Sequence, residues 1–336
     1  FSTLILNIIN PETLARLPLS ATQAFKNITM FPLLRQGAAE SDYLTLDEAL
    51  EAGTACVTEV SEGGTVPELQ LLNEGDVPIL LLDGEELVGA KQNRVLNLSI
   101  LAPANESITI PVSCVEAGSW SYRSRKFSSS PRTMYAKARA AKSGQVSRSM
   151  MASGARLSDQ GALWDDIARK SERMSVASET KAMSDIYEQK EQAMKEFVER
   201  FRPIEGQIGA VFSIDNVITG LDLFDSPDTL GKVLPKLVRS YALDAIETAN
   251  PVDDRTDREN AKRFLQGLAD SKFARFPAVG LGEDLRIESR TIAGGALVVD
   301  NQTVHLWAFP LKSEHTSDRE RILSRMARSS RRHRMH

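Results

Sequence analysis

The chain has 336 residues, of which 42% are hydrophobic and 26% are charged, and its formal net charge is −4. This is the composition of a globular protein, and the length allows one large domain or two. Only Cys56 and Cys114 are present, which excludes a disulfide framework and favours a reducing compartment, so we expect a cytoplasmic protein.

Charge is distributed unevenly along the chain. From Lys312 onward, eight Lys or Arg stand against three Asp or Glu, a net of +5, which leaves −9 for residues 1–311. We therefore predict a single domain over 1–311 and a basic, disordered tail over 312–336. The apolar stretch at 4–9 is too short for a membrane span and unlike a signal peptide, so no membrane association is expected.

Residues 27–115 carry short β-like runs separated by turn sequences. The first runs are NITMFPL, CVTEV, ELQLLN and PILLL, and further runs follow at 95–101 and 107–115. The Asp-Gly pair at 83–84 has the chemistry of a type I′ hairpin turn, which needs positive φ at both central positions. The pattern indicates an antiparallel sheet.

The composition then becomes basic and helical. Residues 121–148 hold eight Lys or Arg and no acidic residue, and a Ser-rich stretch at 128–130 leads into an Ala-rich one. We predict a loop that feeds a basic helix over 132–151, followed by helices over 160–174 and 180–201. Together they form a helical insertion at about 121–202.

Strands return towards the end of the chain. We predict a β pair over 206–224 that turns at Asp215-Asn216, helices over 226–249 and 257–268, and strands over 285–310 with a hairpin at Asp300-Asn301. The two Asp-Asn hairpins indicate either a duplication or two similar hairpins. Sheets from both ends of the chain, a central helical segment and no βαβ alternation predict an α+β fold with mixed, mainly antiparallel sheets.

Residues 78–97, PILLLDGEELVGAKQNRVLN, concentrate the polar chemistry. Clustered acids raise one another's pKa, so one of them can act as an acid or base, or they can hold a divalent cation through oxygen. The candidate catalytic residues are Glu85, Glu86 and, from an adjoining strand, Glu116. Asp83 and Glu86 are the candidate metal ligands, although no cofactor is identified. The alternative is a solvated charged hairpin.

Hydrogen-bond donors follow the acids within a few residues. Lys91 and Arg94 are suited to phosphate, and Gln92 and Asn93 can orient a sugar or base. Trp120 would supply a stacking wall. The predicted ligand-binding residues are Asp83, Lys91, Gln92, Asn93, Arg94 and Trp120. The alternative is an ordinary polar connection between two strands.

Other chemistries have less support in the sequence. Cys114 has no cationic neighbour along the chain, so a buried structural role is favoured over a nucleophilic thiolate. Only His305 of the four histidines falls within the predicted fold, which argues against His-rich metal sites and Ser-His-Asp catalysis. The basic segment could bind a polyphosphate or single-stranded nucleic acid, but the acidic body argues against specific nucleic-acid binding and favours a solvated helix face.

Several strings together resemble a known family, among them VTEVSEGGTVPEL, LLLDGEELVGAKQNRVLN, IPVSCVEAGSW and LDLFDSPDTLGKVLPKLVRSYALDA. The chain is similar over about residues 15–250 to the ADP-ribosylglycohydrolase and rhodanese-phosphatase-associated protein domain family, first type. The resemblance implies an intracellular role near ADP-ribose or protein-modification chemistry. The matching motif residues are Glu59, Glu68, Asp83, Gly84, Glu85, Glu86, Gly89, Lys91, Gln92, Asn93, Arg94, Cys114, Glu116, Trp120, Asp159, Gln160, Trp164, Gln207 and Asp225.

Two functional hypotheses follow from the sequence. The first is an enzyme, a hydrolase or transferase, that acts on a nucleotide or an ADP-ribose-like ligand in a pocket formed by residues 83–94 and 114–120. The second is a non-catalytic binding or scaffold domain that docks a modified protein or a partner enzyme through the basic helix and its loop.

Overall fold

The structure is a computed structural model that describes residues 14, 17–35, 37, 41–60, 67–89, 92–118, 126–248 and 258–311. The described residues contain six helices and 17 strands, mostly in antiparallel sheets, and the predicted α+β class is confirmed. The extent of one domain over 1–311 stays a prediction, and the basic tail over 312–336 lies outside the described residues.

The elements are numbered in chain order. The strands are β1 Gln23–Phe25, β2 Ile28–Leu34, β3 Leu44–Thr45, β4 Ala55–Glu59, β5 Glu68–Asn73, β6 Ile79–Leu81, β7 Glu85–Gly89, β8 Arg94–Leu96, β9 Ile100–Ala102, β10 Glu106–Cys114, β11 Lys126–Thr133, β12 Gln207–Ile214, β13 Val217–Phe224, β14 Lys272–Pro277, β15 Glu283–Glu288, β16 Ile292–Val299 and β17 Gln302–Pro310. The helices are α1 Leu46–Glu51, α2 Ala136–Ser153, α3 Gln160–Arg173, α4 Met183–Arg200, α5 Pro227–Thr248 and α6 Arg258–Ala269. Among the described residues, no helix has both the length and the apolar character that a bilayer crossing requires.

The strands form a large sheet, a barrel and a small sheet. Eight strands form an antiparallel sheet in the order β1-β2-β12-β13-β17-β16-β15-β14, and six close into a barrel in the order β10-β5-β4-β11-β7-β8. The small sheet has the order β3-β6-β9, with β3 parallel to β6. Helices α2 to α5 share a core with one face of the large sheet, and α6 packs on the other face. The barrel shares a third core with α1 and the small sheet.

The two predicted Asp-Asn hairpins are present and occupy the middle of the large sheet. Asp215 and Asn216 have φ of 51° and 61°, and Asp300 and Asn301 have φ of 49° and 61°, as a type I′ turn requires. Each hairpin has a register shift two residues before its turn, at 212/213 and at 297/298. Each is also extended on its outer side by an antiparallel strand, β2 or β15. These shared features favour the duplication over two unrelated hairpins.

The Asp-Gly pair at 83–84 does not form the predicted hairpin. Strand β6 before it pairs with β3 and β9, whereas β7 after it pairs with β8 and β11 in the barrel. Only Gly84 has positive φ, at 80°, and the Glu85 amide donates to the Leu82 carbonyl at 3.1 Å. This four-residue turn therefore passes the chain from the small sheet into the barrel, because strands joined by an I′ turn would stay side by side.

The Ser-rich stretch that was predicted as a loop and the beginning of a helix is partly a strand. Residues Lys126–Thr133 form β11, which closes the barrel between β4 and β7, and helix α2 begins only at Ala136. The pairing with β7 shifts register between Ser129 and Thr133. Pro131 lies at this irregularity, where its missing amide proton removes no regular ladder bond.

A buried charge cluster, defined here as Asp83, Arg139, Lys142, Asp222 and His305, connects the barrel, helix α2 and the large sheet. Arg139 donates to both carboxylate oxygens of Asp222 at 2.6 and 3.1 Å, and its Nε lies 3.6 Å from Asp83. Lys142 donates to Asp83 and to the carbonyl of Leu96. Two cations of the predicted basic helix are therefore fully buried countercharges, not a solvated face or a nucleic-acid surface.

His305 connects the charge cluster to the small sheet. Its Nε2 lies 3.3 Å from Asp222, and its Nδ1 lies 2.7 Å from the hydroxyl of Ser99. Ser99 also accepts a hydrogen bond from the Asp83 amide at 2.9 Å. Burial lowers the pKa of His305 despite its contact with Asp222. Ser99, His305 and Asp222 are all buried, so this serine, histidine and aspartate serve the fold.

Replacing Asp222 with Asn should destabilise the fold by about 3–5 kcal/mol, because Arg139 would lose its bidentate countercharge while remaining buried. Urea denaturation measures the change. As a control, Asp215→Asn makes the same substitution in the hairpin turn and should cost less than about 0.5 kcal/mol. Equal costs for the two variants would show that the cluster does not hold the layers together.

Acid should weaken the wild-type protein through His305. The folded protein keeps this ring neutral with a lowered pKa, whereas the unfolded chain takes up a proton near the ordinary value of 6.5. Stability from this residue is thus complete above pH 6.5 and is lost as the pH falls below it. We expect the unfolding free energy of wild type, relative to that of His305→Gln, to decrease between pH 7 and pH 5. A difference that stays constant would contradict the buried neutral ring.

Candidate functional site

One end of the barrel brings together polar side chains inside an otherwise apolar lumen. Glu59 ends β4, Cys114 ends β10 and Arg94 begins β8, and Cys114 is directly paired with Arg94. Each alternates along its strand with barrel-core residues, namely Val57, Val112 and Leu96, so all three face the interior. We call Glu59, Arg94 and Cys114 the barrel mouth.

Arg94 is the central residue of the barrel mouth. Its side chain is 3% exposed, and its Nη1 donates to the neutral acceptors Gln92 Oε1 at 3.1 Å and Cys114 Sγ at 3.0 Å. Its Nε has no hydrogen-bond partner among the described residues. A buried guanidinium normally forms hydrogen bonds to a carboxylate or phosphate, whereas the described residues give Arg94 none of these.

Glu59 faces Arg94 across the lumen. Strands β4 and β8 lie on opposite sides of the closed barrel, and the shortest distance between the two charged groups is 3.8 Å, from Arg94 Nη2 to Glu59 Oε1. Within the described part of the chain, both carboxylate oxygens of Glu59 are buried and neither accepts a hydrogen bond. The ion pair therefore leaves hydrogen-bonding capacity on both of its members.

Cys114 is held firmly at the barrel mouth. Gln160, at the beginning of α3, accepts from the Cys114 amide at 2.8 Å and donates to its carbonyl at 2.6 Å. The thiol donates to Gln92 Oε1 at 2.9 Å. Burial raises the pKa of this thiol even though Arg94 is in contact with it, which favours the structural role over the nucleophilic one.

The predicted residues Gln92, Asn93 and Glu116 form the rim of the mouth. Gln92 donates to the Glu116 carbonyl at 3.0 Å, and the Asn93 amide lies 3.4 Å from Glu116 Oε2. Glu86 is on the outer side of the barrel wall, where it accepts from Ser130 at 2.8 Å and lies 3.6 Å from Arg132. Burial raises the pKa of Glu86 and outweighs the opposing effect of Arg132.

The structure does not bring every predicted site residue to this end. Glu85 begins β7 at the opposite end of the barrel, where Lys236 donates to it at 2.5 Å, and Asp83 belongs to the buried charge cluster. Glu85 and Glu86 lie on opposite faces of their strand, as alternation requires. Lys91 and Trp120 lie outside the described residues, as do Tyr122, Arg123 and Arg125.

The residues that could hold a metal ion are similarly separated. Asp83 bonds Lys142, whereas Glu86 bonds Ser130. Across the described residues, no group of three or more His, Cys, Asp or Glu side chains is arranged to hold a metal ion. The divalent-cation site at Asp83 and Glu86 thus gains no support from the geometry.

The sequence indicates Glu59 only as a family motif residue and a possible neighbour of the acids at 83–86, and it favours a buried structural role for Cys114. The strand sequence ACVTE contains the signal for Glu59, because its alternation places the carboxylate on the same face as Ala55 and Val57. Nothing along the chain indicates that β4 and β8 face each other, since that depends on closure of the barrel.

Comparisons with known proteins support the family resemblance. The model of the ARPP-1 family, described as ARG and Rhodanese-Phosphatase-superfamily-associated Protein domain, matches residues 16–309. The match extends beyond the 15–250 range in which the motifs were identified, and it includes the C-terminal hairpin. A search of curated proteins and a search of solved structures each found no match. The family model covers most of the chain, and the chain therefore belongs to the family of ARG and Rhodanese-Phosphatase-superfamily-associated Protein domains.

Proposed function

We propose that the barrel mouth binds a small anionic ligand, a nucleotide or an ADP-ribose-like diphosphate, and that the protein is an enzyme acting on it. The observation that carries the proposal is the buried Arg94 guanidinium, whose hydrogen bonds go to neutral acceptors and whose Nε has no partner among the described residues. A phosphate would supply the missing hydrogen-bond acceptors. The family resemblance implies a role near ADP-ribose or protein-modification chemistry, and for this reason we choose this class of anion.

We assign catalytic roles by where each carboxylate lies relative to the barrel mouth. Glu116 is the candidate acid or base, because it is on the rim beside Gln92 and Asn93. Glu86 is on the outer side of the barrel wall, bonded to Ser130, so we assign it no direct contact with the ligand. Glu85 is bonded to Lys236 at the far end of the barrel, so we assign it to the fold. Lys91 and Trp120 remain proposed phosphate and stacking residues.

The family description as an associated protein favours a second candidate, a non-catalytic domain that docks a partner enzyme. The basic helix offers fewer cations for docking than the sequence predicts, because Arg139 and Lys142 are buried. Lys137 and Arg148 are the exposed cations that remain on α2. The same burial supports the expectation that specific nucleic-acid binding is absent.

Both cysteines are free thiols, which supports a reducing compartment, and we propose the cytoplasm.

Replacing Arg94 with Lys should weaken binding of ADP-ribose, NAD, ADP or pyrophosphate at least about tenfold, because one ammonium cannot replace a planar fork that holds Gln92, Cys114 and a phosphate together. Thermal shift identifies the ligand and calorimetry gives its affinity. Arg286→Lys is the matched control, since Arg286 is equally buried but donates from Nη2 to the carboxylate of Asp284 at 2.8 Å. Equal affinity in Arg94→Lys and wild type would overturn the proposed site.

Replacing Glu116 with Gln should lower turnover of the bound ligand by about 10²–10⁴-fold, the range typical of a general acid or base, while binding changes little. Mass spectrometry of the ligand after incubation measures the conversion. Glu85→Gln is the comparison, and any loss of activity in that variant should be accompanied by a loss of stability. A ligand that binds wild type but is never converted would favour the non-catalytic candidate.

A further inference from the structure

Glu59 is a carboxylate whose buried oxygens receive no hydrogen bond from the described part of the chain. Its side chain is 15% exposed, both oxygens are buried, and neither has a hydrogen-bond partner among the described residues. Buried polar atoms are nearly always hydrogen-bonded, and an unpartnered one costs about 1–3 kcal/mol. Charge is not what Glu59 lacks, because Arg94 Nη2 lies at 3.8 Å. The two oxygens of Glu59 lack hydrogen-bond donors among the described residues.

Arg94 and Glu59 together indicate which chemical groups the ligand carries. A ligand that places an anion against Arg94 must also present donors to Glu59 on the other side of the lumen. A vicinal diol donates two hydroxyl hydrogens to the two oxygens of one carboxylate, and acidic side chains bind ribose hydroxyls in this way in dinucleotide-binding folds. Ribose carries such a diol a few bonds from its phosphate. An ammonium group would add a second positive charge beside Arg94 and is disfavoured.

We propose that Glu59 is a specificity-determining residue that binds the vicinal hydroxyls of a ribose whose phosphate is held by Arg94. The barrel mouth is then selective for ribosyl phosphates over bare phosphates and over deoxyribose compounds. This inference rests on the proposed anion-binding role of Arg94, but it adds a requirement that Arg94 alone does not impose.

The test compares ADP, 2′-deoxy-ADP, ADP-ribose and inorganic pyrophosphate by calorimetry on the full chain. Wild type should bind ADP or ADP-ribose at least about tenfold more tightly than 2′-deoxy-ADP, which corresponds to one hydrogen bond to a charged group. Glu59→Gln should lose this discrimination and bind ADP and 2′-deoxy-ADP within about threefold of each other. It should bind pyrophosphate at least as well as wild type, because removing a carboxylate beside Arg94 cannot weaken an anion site.

Glu74→Gln is the matched control. Glu74 is exposed and directly follows β5 at the opposite end of the barrel, so this variant loses the same charge outside the mouth and should keep the full discrimination. Equal binding of ADP and 2′-deoxy-ADP by wild type, or discrimination that survives in Glu59→Gln, would overturn the diol assignment while leaving Arg94 as the anion site. Failure of pyrophosphate and of every nucleotide to bind wild type would overturn both proposals.

Discussion

The bidentate pair between Arg139 and Asp222 is the interaction on which the arrangement of the molecule depends. Asp222 is on the central strand β13, and Arg139 is on the helix that covers that face of the sheet. Through its second contact, to Asp83, the same guanidinium reaches the turn that leads into the barrel. Burial acts to raise the pKa of Asp222, but Arg139 and His305 outweigh it and lower the pKa. One buried cation thus fixes the sheet, the helix and the entrance to β7 relative to one another.

The charge cluster and the barrel mouth show opposite ways of burying charge. In the cluster, Asp83 and Asp222 are balanced by Arg139 and Lys142, and Lys142 also donates to backbone carbonyls. Such a cluster contributes specificity more than net stability, because desolvation offsets most of the attraction. At the mouth, Arg94 and Glu59 face each other at 3.8 Å without a hydrogen bond between them. Unsatisfied buried groups call for an explanation, and the proposed ligand would supply one at the mouth.

Helix α3 and the apolar barrel core together form a rigid frame around the mouth. Gln160 bonds both backbone groups of Cys114, which fixes the end of β10 to helix α3. The interior below the mouth is filled by aliphatic side chains of the barrel core. These contacts do not involve the side chain of Glu59 or the Nε of Arg94. Both groups can therefore form hydrogen bonds inside the lumen. A substitution at Gln160 of α3 would therefore affect the site by releasing the backbone of Cys114.

The sequence by itself determined the class of the fold, most helix and strand positions, and the two Asp-Asn hairpins, because these depend on local periodicity and turn chemistry. It also located the segment 83–94, which supplies Gln92, Asn93 and Arg94 to the site. Only the tertiary structure decided which of those residues meet: Asp83 joins the charge cluster, Glu85 bonds Lys236, and Arg94 faces Glu59. Their partners lie 59, 151 and 35 positions away along the chain. The local pattern fixes the face on which a side chain lies, but barrel closure and the packing of α2 on the sheet decide what that face meets, and these depend on contacts distant in sequence.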